Sequence, residues 1–223
     1  MKYVIIKPEH QRILRDECIE VLRGGGVIAL PTDTVYGLVA DATQTRALDR
    51  LFSIKIRDSK KPTAIFVSSL ARAEDLVFLR TSDRHILSRV WPGATTVIQL
   101  LRDAVPLDSR VTAARGDTRT LALRIPAYPF LLSLLAAYPA PLAQTSANPA
   151  SQPTATTGEE VVDYFQYGTA SPDLVVGVET KLGGIPSTIL DGTTTPWTLV
   201  REGILSKALS SLIAQGLIER KEK

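Results

Sequence analysis

Cysteine is almost absent: Cys18 is the one thiol among 223 residues. No internal disulfide and no zinc site built from several thiolates can be made, and this usage suits an intracellular protein. Histidine is nearly as scarce, with only His10 and His85, so few imidazoles are on offer as bases. Aromatic residues make up 6%, which leaves few platforms for stacking nucleic-acid bases. An excess of charge is missing too. The 26 Lys and Arg stand against 23 Asp and Glu, a net +3, too small to announce a nucleic-acid binder unless cations cluster locally. No apolar run approaches the roughly 18 residues of a membrane span, and no signal-peptide pattern opens the chain. A cytosolic protein, or an organellar one after processing, is expected. Repeats and low-complexity segments are also lacking.

What is present reads as an ordinary globular composition, 44% hydrophobic, long enough for one domain or one domain with an appendage. Tyr3 to Ile6 looks like a strand. Pro8 can open a helix whose apolar stripe is Ile13, Leu14, Cys18, Val21 and Leu22, which makes Cys18 a packing residue rather than a nucleophile. Gly24, Gly25 and Gly26 end that helix. Strands follow at Val27 to Leu30, Ala64 to Val67, Thr96 to Leu100, Leu121 to Ile125, Leu174 to Val178 and Thr198 to Arg201, with a short apolar segment at Pro141 to Ala143. Helices are expected around Ala47 to Phe52, Ala71 to Leu79, His85 to Val90, Tyr128 to Leu135, Glu159 to Phe165 and Leu205 to Leu217, before a charged tail, Glu219 to Lys223, that frays in water. The alternation predicts an α/β layer fold with a sizeable sheet, mixed because some connections are too short for crossover helices.

Chemistry concentrates in loops. Val27 to Leu30 breaks into Pro31-Thr32-Asp33-Thr34-Val35-Tyr36-Gly37-Leu38, a hydroxyl-rich loop at a strand's carboxyl end, where open α/β sheets tend to bind ligands; a simple Asx or Ser/Thr turn is the plainer account. The glycine run is no phosphate loop, since a helix precedes it and a strand follows, the reverse of the order such loops need. Lys55, Arg57, Lys60 and Lys61 cluster before Pro62, either to grip a polyphosphate or as a solvated basic loop. Thr145-Ser146-Ala147-Asn148 puts a hydroxyl and an amide at another strand end, where a capping turn is the alternative. Arg124, between Leu123 and Ile125, faces away from one apolar layer and could be solvated.

These motifs, in this order, resemble the YrdC/Sua5 family over roughly residues 20 to 205. The octapeptide from Pro31 matches its signature, Lys-x-Arg-x-x-x-Lys-Pro its basic loop, and Ser146-Ala147-Asn148 its Ser-Ala-Asn element. Trp91-Pro92-Gly93-Ala94-Thr95-Thr96 matches a further element, read as packing plus a turn. Thr120 to Pro126, Pro186 to Ile189 and Leu199 to Gly203 complete the set. Two departures stand out: Ala150-Ser151 replaces the usual Ser-Gly, and Phe66 replaces a histidine that longer relatives place beside threonine. Those relatives also carry a linker and a second domain.

The resemblance implies a single YrdC-like domain over 1–223, an open twisted mixed sheet flanked by helices with a concave basic ligand-binding face. It implies a threonylcarbamoyl-adenylate synthase, joining L-threonine, bicarbonate or CO2, and ATP with release of pyrophosphate, for the t6A modification at position 37 of tRNAs reading ANN codons. Lys55, Arg57, Lys61, Thr120, Asn148, Thr156 and Arg201 are then expected at ATP, and Thr34, Arg124, Ser146 and Ser187 at threonine. His10 and His85 lie outside every matched motif, so catalysis is expected from positioning rather than from an acid or base. Magnesium is expected with ATP and without a protein cage. Expected partners are a downstream threonylcarbamoyl transferase and tRNA or double-stranded RNA, with no membrane. An RNA-binding module of the same fold without synthase activity is the alternative. A carbamoyl transferase of the hydrogenase-maturation type is a third, and its multi-cysteine zinc modules are missing here.

Overall fold

The computed structural model describes residues 1–56, 62–102, 105, 107–150 and 152–220; Arg57, Lys60, Lys61 and Ser151 of the sequence reading fall outside them. Twelve strands are found among the described residues: β1 (Lys2–Ile5), β2 (Ile28–Leu30), β3 (Gly37–Asp41), β4 (Ala64–Phe66), β5 (Thr95–Leu100), β6 (Thr112–Arg115), β7 (Thr118–Arg124), β8 (Leu142–Ser146), β9 (Leu174–Gly177), β10 (Thr188–Asp191), β11 (Trp197–Arg201) and β12 (Ile218–Arg220). The helices are α1 (Gln11–Arg23), α2 (Thr45–Lys55), α3 (Leu70–Leu76), α4 (Thr81–Val90), α5 (Pro129–Ala137), α6 (Gly158–Phe165) and α7 (Lys207–Ala214). All strands join one sheet in the order β1-β9-β2-β3-β8-β4-β7-β5-β10-β11-β12, with β6 pairing β7 off this path. Parallel pairs such as β1–β9 and β4–β7 mix with antiparallel ones such as β3–β8 and β5–β7, so the expected mixed α/β sheet is found.

Strand alternation divides the core in two. Ala29, Leu38, Ala40, Val97, Leu121, Leu123, Ala143, Val175 and Leu190 face a layer built from α2, α3, α4, α6 and α7. The opposite face is covered only in part: Ile28, Leu30, Val39, Phe66, Leu142, Leu174 and Val176 pack under α1 and α5. No buried residue of β5, β7 or β10 belongs to this second cluster. Their faces on that side lie bare beyond β4.

Several elements differ from expectation. In α1 the buried stripe is Leu14, Cys18, Ile19 and Leu22, whereas Ile13 is 66% exposed, because it sits one residue, about 100°, off the stripe. Burial pushes the Cys18 thiol up to about 12, aided by nearby Glu17, which fits a packing residue. Strands β3, β6, β10 and β12 add to the expected set, short segments whose register comes from the strands they pair with. Of the tail expected to fray, Glu219 and Arg220 instead pair with Thr198 and Leu199 of β11, anchored by buried Ile218, and residues 221–223 fall outside the described residues. The glycine run ends α1 as expected, with Gly25 at φ +73° and a Cβ on Gly26 placed 2.5 Å from Val21 Cγ1. Only glycine fits there.

Candidate active site

The bare half of the sheet floors a cavity of about 440 Å³. Its floor is the alternate set of residues on the central strands, Thr96 and Ile98 of β5, Thr120, Ala122 and Arg124 of β7, and Ile189 of β10, with Gln144 and Ser146 of β8 beside them. The loop after β2 and the segments around Pro62, Thr154 and Pro186 form its rim. Polarity follows from the missing helix, since residues there need not be apolar to be stable.

The Pro31–Tyr36 loop connects the antiparallel neighbours β2 and β3, with Leu30 opposite Gly37. Thr32 organises it. Its Oγ1 donates to the Val35 carbonyl at 2.7 Å, accepts from the backbone N–H of Thr34 and Val35 at 3.1 and 3.3 Å, and lies 2.9 Å from Thr34 Oγ1. Arg124, at the carboxyl end of β7, is 3% exposed. Its Nε donates to Gly93 O at 3.0 Å, Nη1 to Thr34 Oγ1 at 3.2 Å and Nη2 to Asp33 Oδ1 at 2.6 Å. The solvated alternative for Arg124 is thereby excluded. Burial lowers its pKa and the Asp33 carboxylate opposes that shift; a guanidinium stays charged through any such change. Three of its five N–H groups are engaged, leaving two for a ligand. The Phe66 ring lies 5.9 Å from the guanidinium carbon, so the residue that departs from longer relatives packs against this arginine.

The carbonyl that holds Nε comes from the Trp91–Gly93 turn, where Trp91 Nε1 donates to Thr95 O at 2.7 Å and the Gly93 N–H donates to Ile125 O at 2.8 Å. This turn does pack, as expected, but the same motif also contributes Thr96, which sequence reasoning missed as a wall residue. Thr96 Oγ1 and Ser187 Oγ lie 3.0 Å apart. Arg201 Nη2 donates to Ser187 O at 2.8 Å and to its Oγ at 3.3 Å. Desolvation and then the proximity of Arg124 lower the Arg201 pKa, so the two cations feel one another across the cavity. No carboxylate lines the wall among the described residues, and an anion placed between the arginines relieves their repulsion.

Of the residues expected to bind, Thr34, Thr120, Arg124, Ser146, Ser187 and Arg201 meet at this cavity. Lys55, Asn148 and Thr156 do not line it. Lys55, 6% exposed, instead donates to Ser146 O and Oγ at 2.8 and 3.0 Å and to Asn148 O and Oδ1 at 2.6 and 2.7 Å. Thr156 offers its N–H and hydroxyl to Glu160 Oε2 at 2.7 and 2.9 Å. Asp33 and Thr32 belong to the signature octapeptide, which by itself gives neither a role; Gln144 and Thr63 have no signal beyond their neighbours. Immediately after Lys55, Ile56 takes φ +51°, a left-handed conformation that a β-branched residue rarely adopts.

An open sheet covered by helices on one side and half the other, with a cavity walled by two arginines and strand-end hydroxyls, is an α/β domain with a cationic, hydroxyl-lined cavity. The Sua5/YciO/YrdC family model, described as "Telomere recombination", matches residues 20–203, and the chain belongs to this family. It is 34% identical over 183 residues to a threonylcarbamoyl-AMP synthase of Pyrococcus abyssi, a match covering 82% of this chain and 52% of that one. The chain thus spans about half the length of that curated relative. A threonylcarbamoyl-AMP synthase of Nitrosococcus oceani is 34% identical over 175 residues, covering 78% of this chain and 90% of the relative. Among solved structures, P. abyssi Sua5 complexed with L-threonine superposes with a TM-score of 0.82 at 28% identity, covering 98% of this chain and 62% of that one. No described helix is long and apolar enough to cross a membrane.

Proposed function

We propose that this chain, acting as one YrdC-like domain, is an ATP-dependent nucleotidyltransferase that makes threonylcarbamoyl-AMP from L-threonine, bicarbonate or CO2, and ATP. The observation that carries this reading is the convergence of Arg124, Arg201, Thr34, Ser146 and Ser187 on one cavity. The two uncommitted N–H groups of Arg124 suit the threonine carboxylate, and Thr34 and Ser187 suit its hydroxyl. Arg201 suits ATP, joined through the family resemblance by Arg57 and Lys61 of the basic segment that precedes Pro62 in the sequence.

The physical problem is charge. N-carboxylated threonine is a dianion, and one oxygen of its carbamate must attack the α-phosphorus of ATP. The new O–P bond forms as the bond from that phosphorus to the bridging oxygen breaks, and pyrophosphate leaves with the electron pair. Cations held in place before the reaction reduce the repulsion and align the attack. The wall offers no carboxylate ligand among the described residues, so magnesium enters with ATP, taking its oxygens from phosphates and water. Delivery of the product to a threonylcarbamoyl transferase for tRNA modification, in the cytoplasm, completes the proposal.

The test is pyrophosphate release from ATP with magnesium and bicarbonate, comparing threonine, serine and no amino acid, with the adenylated product identified by mass. Threonine should stimulate release and yield the threonylcarbamoyl-adenylate mass. Serine, lacking one methyl, should be poorer by about 10- to 200-fold. ATP binding without that product would refute the synthase reading, and salt-sensitive RNA binding in its place would favour the binding-module alternative.

A further inference from the structure

The hydroxyls of the β2–β3 loop can be assigned their protons by counting. Thr32 has a single hydroxyl hydrogen. The Val35 carbonyl, 2.7 Å from its oxygen, can only accept, so the hydrogen must lie there. Thr34 Oγ1 is 2.9 Å from Thr32 Oγ1; with its hydrogen spent, the Thr32 oxygen holds the two longer N–H contacts of Thr34 and Val35 as a fork on one lone pair and takes the Thr34 hydroxyl hydrogen on the other. Reversing this bond would leave the Thr32 oxygen facing the Val35 carbonyl with no proton between them. Arg124 Nη1 meanwhile donates to Thr34 Oγ1 from 3.2 Å and accepts nothing. The protons therefore run one way, from Arg124 to Thr34 to Thr32 to the Val35 carbonyl. All four groups are fixed by burial or backbone, Thr32 and Thr34 being 3% and 2% exposed.

A polarised chain leaves Thr34 with no hydrogen to give. Its oxygen has spent one lone pair on Arg124 and keeps the other, and the residue lines the cavity. We infer that Thr32 is a positioning residue: through its bond to Val35 it makes Thr34 an acceptor-only group, so the cavity selects a ligand that presents a hydrogen-bond donor at this point. This rests on the synthase reading above, under which the donor is the hydroxyl hydrogen of threonine. A ligand of the same size without that hydrogen would leave a buried acceptor unpaired, and buried groups made to lose a partner discriminate strongly.

The test measures dissociation constants of L-threonine and of (2S)-2-amino-3-fluorobutanoate, which is close to threonine in size but has no O–H, by calorimetry on the wild type and on Thr32→Ser, Thr32→Val and Thr32→Ala. Wild type should prefer threonine by about 10-fold or more. Thr32→Ser keeps the hydroxyl and should keep that ratio. In Thr32→Val or Thr32→Ala, whichever gives a cooperative melt, the freed Thr34 hydrogen can turn to the ligand and the ratio should fall to about 3-fold or less. Affinities for both ligands that fall together, with the ratio unchanged, would overturn the inference and reduce Thr32 to a loop brace. A wild type that binds threonine without preferring it over the fluoro analogue would also overturn it. A wild type that fails to bind threonine at all would instead sink the synthase reading beneath it.

Discussion

Breaking the Arg124–Asp33 pair should have a cost that can be apportioned. Arg124 is 3% and Asp33 13% exposed at the side chain, and they meet at 2.6 Å. Replacing Arg124 by Met keeps the aliphatic stem but removes the guanidinium and its contact with the Phe66 ring, strands the carboxylate and frees the Gly93 carbonyl. Removing one partner of a buried pair costs about 3–5 kcal/mol; because Asp33 retains some contact with water, the lower end, about 3 kcal/mol, is expected. In a chain of this size each kcal/mol shifts the melting temperature by about 2–4 °C, so Arg124→Met should melt about 6–12 °C lower. Asp33→Ala should cost at least as much, since the cation it abandons is the more deeply buried of the two. The double variant has no stranded charge and should recover part of the loss, with a coupling energy of about 2 kcal/mol in a denaturant-based double-mutant cycle. Threonine-dependent turnover should vanish in every variant lacking Arg124. Single losses that add within about 0.5 kcal/mol would refute the claim that this pair is an interdependent buried unit.

Lys55→Met should lower threonine-dependent turnover through displacement of Ser146 and Asn148, and Lys55→Arg, whose planar fork cannot reproduce four acceptors around one nitrogen, should not restore it; activity near wild type in Lys55→Met would remove the ammonium as a brace. Gly203→Ala should destabilise the packing of the segment after β11 on the segment entering β10, because a Cβ there would crowd Pro186 O and Ser187, and a melting temperature within about 1 °C of wild type would contradict that packing. Asp41 is 4% exposed; burial opposes ionisation, but hydrogen bonds from Thr43, Tyr138 and Gln44 outweigh it and hold its pKa below the usual carboxylate value. A depressed folded pKa stabilises above the unfolded value of about 4 and the benefit is lost as pH falls through the folded one. Asp41→Asn should therefore flatten the fall in melting temperature below about pH 4, and an unchanged acid limb would rule Asp41 out of it.

The parts of the fold that were legible were those with local signals. The α1 stripe, the glycine stop and the strands at Val27, Thr96, Leu121 and Leu174 announce themselves through periodicity or punctuation. Strand β6, Thr-Ala-Ala-Arg, has no periodicity, and its one signal is the Gly116-Asp117 turn that folds it onto the edge β7 offers. Strand β12 reads as a charged tail because its register is set by β11, where Trp197 lies opposite Ile218. The site divides in the same way. The hydroxyl loop, Ser146 to Asn148 and Arg201 stand out as motifs, whereas the pairing of Arg124 with Asp33 spans 91 positions and leaves no trace in either neighbourhood. In sequence Lys55 belongs to the basic segment that follows it, and only the fold brings its ammonium to Ser146 of β8.

Because α1 and α5 stop short of β5, β7 and β10, those strands divide their duties by parity. On β7 the even positions Thr120, Ala122 and Arg124 meet the cavity while the odd Leu121 and Leu123 hold the core; on β5, Thr96 and Ile98 flank core Val97, and on β10, Ile189 adjoins core Leu190. Recognition and cohesion are thus written on alternate letters of the same words. A lineage can rewrite one set while leaving the other intact, so a scaffold of this kind can exchange ligands without passing through an unfolded ancestor.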